Sequence, residues 1–353
     1  MRSRMFFVAE TTEFPPVAQP AFETRYSYGI RSATEWDAFA QRCAGTYQCS
    51  YGYIALLRLT HARQIFEFFV NDRKIGQCAV AVPRIGRGVR LFTDGIQLLP
   101  DLDFYWPLAM RAILDRLGPG RYRYGSVWST IPSCLGELRR MPGITIIQDD
   151  LYQVQAVDFS KWPDWPGYHR ALSSNAKRNA AKARKSDPDL RIMQVTGLKT
   201  LRYAGRMMLM RRATYRRKGA ALDFLSASLR FLGRILFMRH YIFMTMIFFH
   251  GRLTAVVSGV RFGRHVYYLD GASVADNGGS SWYLLIDILR QTQTAYPTGM
   301  FVMGPDQAAF HIGRAGWDNL LRQREQCKAS NFPTSLVTFD YGCIDTTSCV
   351  LSK

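Results

Sequence analysis

Two stretches of this chain carry the same order of elements, and that repetition limits the folds open to it more than any other feature. In the first, the capping box Ser32-Ala-Thr-Glu35 opens a helix that places Trp36, Phe39, Ala40 and Cys43 at i, i+3, i+4 and i+7. Apolar segments at 65–70, 75–84 and 89–92, divided by the turn Asn71-Asp-Arg-Lys74 and by Gly86-Arg-Gly88, read as a β-meander. A loop at Asp94-Gly95 leads to a helix over 104–117 and a strand over 122–127. In the second stretch, helices near 168–185, 198–218 and 222–237 precede strands at 241–249, 253–262 and 265–270, with turns at Gly251-Arg252 and Gly263-Arg264. A Gly/Ser-rich loop over 271–281 then opens a helix from Trp282 to about residue 296, and a strand over 300–303 follows. The residues do not repeat but the order does. The expected architecture is α+β: two lobes, each a mixed, largely antiparallel sheet flanked by helices, divided as 1–155 and 156–345 with a tail over 346–353.

At 353 residues and 48% hydrophobic composition the chain is long enough to bury two such cores, which excludes disorder and small disulfide scaffolds. Seven scattered cysteines form no C-x-x-C pair and have no nearby histidines to complete a zinc set, so no metal is expected and a reduced, cytoplasmic setting is. The first eight residues are too short for a signal-peptide core, and the longest apolar run, 241–249, is about half the ~20 residues of a membrane-spanning helix. Contact with a membrane surface stays open.

The formal charge is +19, and residues 170–218 hold thirteen of those net charges, with only Asp187 and Asp189 as acids. Lys177, Arg178, Lys182, Arg184 and Lys185 share one half of a helical wheel, and the next helix, with the apolar stripe Leu201, Ala204, Met208 and Tyr215, ends in a run containing Arg212, Tyr215 and Lys218. A solvated surface explains an isolated charge run. Two successive basic helices with almost no acid point instead to an anion: nucleic acid, a phosphorylated cofactor or an anionic membrane. Farther on, the loop over 273–281 joins a strand to a helix N-terminus. Free N–H groups there favour an anion, Gly278 and Gly279 admit close approach, and Ser280 or Ser281 is placed to cap. There is no Walker A motif, no G-x-G-x-x-G after a strand and no G-x-S-x-G elbow.

Five fragments in order carry a resemblance: 173–185, Arg211-Arg-Ala-Thr-Tyr-Arg-Arg-Lys-Gly219, Gly251-Arg-Leu-Thr-Ala-Val-Val-Ser-Gly259, Tyr267-Tyr-Leu-Asp-Gly271 and Gly279-Ser-Ser-Trp-Tyr-Leu-Leu285. Together they resemble the Fem-like branch of the GNAT acyltransferases, in particular acetyltransferase-type members linked to exopolysaccharide or cellulose synthesis. The resemblance covers about residues 150–320 well and the first half more loosely. It implies tandem GNAT-like lobes and an N-acyltransferase moving an acyl group from acyl-CoA, its pyrophosphate near Asn277, Gly278, Gly279, Ser280 and Ser281, to an amine such as an amino sugar or an amino-acid-derived precursor of a surface polymer. The alternative is an aminoacyl-tRNA-dependent peptidyltransferase, with tRNA as partner; a further one is a non-enzymatic protein binding nucleic acid or an anionic membrane. Transfer needs a base for the amine, a donor to the oxyanion and an acid for the leaving group. Asp306 and His311 are the base candidates and Tyr283 the candidate acid. Lys177, Arg178, Arg212, Tyr215, Lys218 and Asp270 are candidates for binding a substrate or anion, and Asp270 is equally suited to starting a turn. In the same region Phe310-His311 stands where such members have Tyr-Lys.

Overall fold

Apolar runs build strands in both halves of this chain, and a computed structural model describes residues 21–85, 88–131, 135–219, 222–275, 278–306 and 314–342. In chain order the first half contains β1 (Phe22–Ser27), α1 (Ala33–Arg42), α2 (Tyr51–Leu57), β2 (His61–Val70), β3 (Arg73–Pro83), β4 (Arg90–Phe92), β5 (Gln97–Leu98), α3 (Trp106–Leu117), β6 (Gly120–Gly125), α4 (Leu135–Arg140) and β7 (Ile144–Asp158). The second contains α5 (Trp165–Ala171), α6 (Ser174–Ser186), β8 (Arg191–Thr196), α7 (Leu201–Arg217), α8 (Phe224–Phe237), β9 (Ile242–Phe249), β10 (Arg252–Phe262), β11 (His265–Ser273), α9 (Ser280–Ala295), β12 (Met300–Pro305), α10 (Arg314–Gln326) and β13 (Ser330–Tyr341).

The capping signal at α1 acts as expected: the Glu35 N–H donates to Ser32 Oγ at 3.2 Å, and Trp36, Phe39 and Ala40 are buried. The single helix expected over 168–185 is instead two. Ser173 adopts ψ 144°, its side chain accepts from the Ala176 N–H, and the chain restarts as α6. Leu201, expected on the buried stripe of α7, is exposed, whereas Ala204 and Met208 are buried.

Among the described residues all the strands belong to one sheet, in the order β1-β2-β3-β4-β6-β13-β7-β12-β11-β10-β9-β8, with β5 pairing β3. The middle of that order joins the two halves. β7, the last strand of the first half, pairs antiparallel with β12 of the second. β13, the last strand of the second half, lies antiparallel between β6 and β7, with Leu336–Tyr341 along β6. Each half therefore contributes its last strand to the other's edge. A division between residues 155 and 156 falls inside β7.

The cores follow the same interlocking. Val337 and Phe339 of β13 pack with Phe66, Phe68, Trp106 and Tyr122 of the first half. In the second half, α5, α6 and α9 cover one sheet face through Tyr168, Ala183 and Leu285, while α7 and α8 cover the other through Met208 and Phe231. At the junction Tyr47 and Ala40 meet Tyr267, Phe262 and Val302. We expect one cooperative unfolding transition in differential scanning calorimetry, because neither half keeps its sheet edge when the other melts. Two separable transitions would contradict the shared-strand arrangement.

Candidate functional site

The sheet contains two places where neighbouring strands run parallel and then part. In the first half, β4 and β6 share only Arg90↔Tyr122 and Leu91↔Arg123. The gap beyond is plugged by Tyr124, whose hydroxyl accepts from Trp106 Nε1–H at 2.8 Å and from the Ile96 N–H at 3.3 Å. In the second half, β11 and β12 share His265↔Met300 to Tyr267↔Val302 and then diverge. That gap is open. It forms a cavity of about 100 Å³ lined by Tyr268, Asp270 and Gly271 of β11, Gly304 and Pro305 of β12, and side chains from the helices on either side.

Backbone irregularity opens it. The register of β10 against β11 slips between Ser258↔Asp270 and Gly259↔Tyr268, so Leu269 is an extra, bulged residue beside the cavity. On β12, the carbonyls of Met303 and Pro305 accept from the Arg324 guanidinium at 2.7 and 2.8 Å, and Arg324 also donates to Gln155 Oε1 at 2.9 Å. Burial lowers the Arg324 pKa to about 10, so the side chain stays charged at neutral pH.

Asp270 is buried and engaged at both oxygens, by Arg211 at 2.6 Å and Arg234 at 2.7 Å. It anchors α7 and α8 to the notch. Burial opposes the charge on Arg211, but Asp270 together with the Tyr215 and Tyr268 hydroxyls outweighs it, leaving its pKa raised. Thr214 Oγ1 donates to the Ser273 carbonyl at 3.1 Å, fixing the same stretch of α7 along the end of β11. Tyr215 and Lys218 complete that wall, and burial, then Arg217, lowers the Lys218 pKa. Tyr268 is pushed up to about 12 by burial and the nearby Asp270, so its phenol keeps its proton at neutral pH. A Cβ on Gly271 would collide with the Tyr268 hydroxyl, so glycine there lets the phenol lie over the strand. Trp128 closes the cavity from the first half and packs edge-on against Tyr47 and Tyr267.

The structure thus brings Tyr215, Lys218 and Asp270 together and adds Tyr268, Arg211, Arg324 and Trp128, which sequence reasoning missed. Asp306 lies one residue beyond Pro305, its Oδ1 accepting from the Gln153 N–H at 2.9 Å. His311 and Asn277 lie outside the described residues. Arg212 is exposed, its guanidinium 5.3 Å from the centre of the Phe224 ring, away from the cavity. Lys177 donates to the Arg170 carbonyl and Arg178 to Asn175, both on the opposite side of the sheet from α7. Tyr283 packs against the core beneath α9 rather than lining the cavity.

The glycine loop also differs from expectation. Gly278 and Gly279 have φ of 55° and 88°, and Cβ atoms there would run into the Phe249 ring and the Asn179 carbonyl. What the glycines admit is the Phe249 ring of β9 and the backbone of α6, not open space. Ser280 does not cap α9; Gly279 holds that position, and the buried Ser280 hydroxyl meets Thr254 Oγ1 at 2.7 Å. Ser281 stands in the first turn of α9.

No protein-family model matches this sequence, and comparison with curated proteins finds no match. Solved structures do match. FemX has 11% identity and a TM-score of 0.66 over 90% of this chain and 97% of that one. The L-PGS of Bacillus licheniformis has 13% identity and a TM-score of 0.52 over 88% and 91%. A tandem GNAT protein from the clavulanic acid biosynthesis pathway has 11% and 0.51 over 92% and 100%. The fold is GNAT-like. Identities this low speak for fold alone.

Two outcomes test the electrostatics. Asp270→Ala leaves Arg211 and Arg234 as facing cations and should cost about 3–5 kcal/mol in urea unfolding; a loss under 1 kcal/mol would mean that the ion pairs do not anchor the helices. Asp94, half-buried at the junction with its Oδ1 enclosed, is pushed up by burial to about 6 from 3.8. A raised carboxyl pKa contributes stability that is full below the unfolded value and lost as pH rises through about 6, here about 3 kcal/mol. Asp94→Asn should therefore flatten stability between pH 4 and 7, and an unchanged slope would contradict this.

Proposed function

We propose that this chain is an N-acyltransferase working at the β11–β12 notch, taking an acyl group from acyl-CoA to an amine. The observation that carries the reading is the parting of two parallel strands beside a bulge, over a cavity holding a protonated phenol and a cluster of guanidinium groups. A donor laid between parting strands can present its carbonyl to backbone N–H groups on the freed edge of β11, where they stabilise the developing oxyanion. Tyr268, protonated at neutral pH, is the proposed acid for the leaving group, a role that its place in the cavity suits better than that of Tyr283. Asp306, next to the cavity-lining Pro305, is the proposed base, with His311 following on the same segment.

Arg211, Arg324 and Lys218 line the cavity and Arg234 stands behind Asp270, four cations against the two acids Asp270 and Asp306. An amine acceptor that also carries a carboxylate or phosphate fits that balance, as an amino-sugar or amino-acid-derived precursor of a surface polymer does. For the donor, the cations of α6, Lys177 and Arg178 among them, are the proposed partners of the CoA phosphates, since the Asn179 backbone of the same helix lies against Gly279, just before α9. One observation favours a second donor: the Asn179 carbonyl occupies the approach to Gly279, where a pyrophosphate would lie. An aminoacyl-tRNA makes no demand on that position.

In the decisive experiment, acetyl-CoA and longer acyl-CoAs are screened for a rise in Tm, then combined with amines and the products weighed by mass spectrometry. Tyr268→Phe should lower kcat roughly a hundredfold with KM little changed. No Tm shift with any acyl-CoA, together with transfer from aminoacyl-tRNA, would replace the first reading with the second.

A further inference from the structure

Helix α8 has two apolar faces. One, with Ala227, Phe231 and Ile235, is buried against the sheet. The other consists of Leu225, Leu229, Leu232 and Leu236, which are 70%, 61%, 38% and 53% exposed. At 3.6 residues per turn these four fall within about 60° of one another, a continuous stripe about 16 Å long. Isolated exposed leucines are ordinary; a full-length stripe is not. Helix α7 packs beside α8 and extends the patch with Leu201 and Leu209, also exposed.

Charge decides what covers it. Lys199, Arg202, Arg206, Arg212, Arg216 and Arg230 are exposed on the same two helices and the turn before them, and Asp223 is the sole acid between residues 198 and 240. A second copy would bring the same cations against these. Nucleic acid would meet the arginines but leave the leucines in water. An anionic bilayer satisfies both: leucines enter the acyl boundary while long cationic side chains reach up to the phosphates. Among the described residues no helix is long and apolar enough to cross a membrane, so the contact is one of lying on the surface.

We propose that the α7–α8 face docks this protein onto an anionic lipid surface. Its inner side carries Arg211, Thr214 and Tyr215 into the cavity, which sets the cavity about one helix diameter, ~10 Å, from the docked bilayer. For the transfer reaction proposed above, and resting on that reading, this geometry suits an acceptor presented at the membrane.

Flotation needs no transfer activity, so its failure and that of the transfer reading are distinguishable. The full chain is mixed with vesicles of phosphatidylcholine alone or with one-third phosphatidylglycerol. It should float with the anionic vesicles and not with the neutral ones. Replacing Leu225, Leu229 and Leu236 by Ser should weaken partitioning roughly a hundredfold with Tm unchanged, since those side chains are already in water. Serine at Leu108 and Leu151, exposed elsewhere, should leave partitioning as it was. Replacing Arg202, Arg206 and Arg230 by Gln should abolish the preference for anionic vesicles. The proposal falls if the chain stays with the soluble fraction at low salt, if the leucine variant floats like the original, or if that variant turns a dimer into a monomer in light scattering.

Discussion

The pairing of β13 between β6 and β7 is the interaction on which the rest of the structure depends. It closes an antiparallel ladder across a sequence separation of roughly two hundred residues, so the loop entropy it demands is recovered only once both halves have formed. In return it makes one sheet of what would otherwise be two, and buries Val337 and Phe339 in a core built by residues 66–141. The site inherits this coupling. Trp128 belongs to the first half and Tyr268 to the second, and they line one cavity because the shared strands hold the halves in a single register.

The two halves carry the same device and use it differently. Parallel strands that part leave backbone groups that need partners. In the first half Tyr124 fills the space, with its hydroxyl at the Ile96 and Trp106 N–H groups. In the second, Arg324 reaches in from α10 to the carbonyls of Met303 and Pro305 and leaves the volume open. An aromatic plug satisfies the backbone by filling the space; a guanidinium satisfies it from the side. The second solution leaves a cavity.

What was legible in the sequence follows from range. The meanders, α1 with its cap and the helix and strand that follow each meander rest on neighbours a few residues apart, and they read correctly. The shared strands do not. Asp149 and Asp150 interrupt the apolar alternation of β7, and Pro333 lies in β13 where a central strand would forbid it. Proline is tolerated because the pairing of β13 with β6 begins only at Leu336, leaving β13 with β7 alone at that point. In the site, Asp270, Tyr215 and Lys218 were recognisable within basic or turn-like motifs. Tyr268 is not legible as a site residue, because alternation assigns neighbouring tyrosines to opposite faces of a sheet and nothing local announces the bulge at Leu269 beside it. Arg324 was illegible because its partners, Gln155, Met303 and Pro305, come from two distant strands. The glycine pair was recognised as a close-approach site, but the approaching groups are Phe249 of β9 and the backbone of α6.

The excess of cations also resolves into separate physical roles. Arg211 and Arg234 share one carboxylate, and Arg324 is spent on carbonyls. These are structural charges whose positions no solvent rearrangement can relax, so they hold a fixed positive potential in the cavity. The exposed cations of α6, and those of α7 and α8, sit on opposite faces of the sheet and are screened by salt. Binding governed by the cavity should therefore resist ionic strength, while binding through the outer faces should not. On the α7–α8 face even that dependence is tempered, because leucines alternate with the arginines and apolar burial does not weaken as salt rises. A surface that joins the two forces can hold an anionic sheet under conditions that release a nucleic acid.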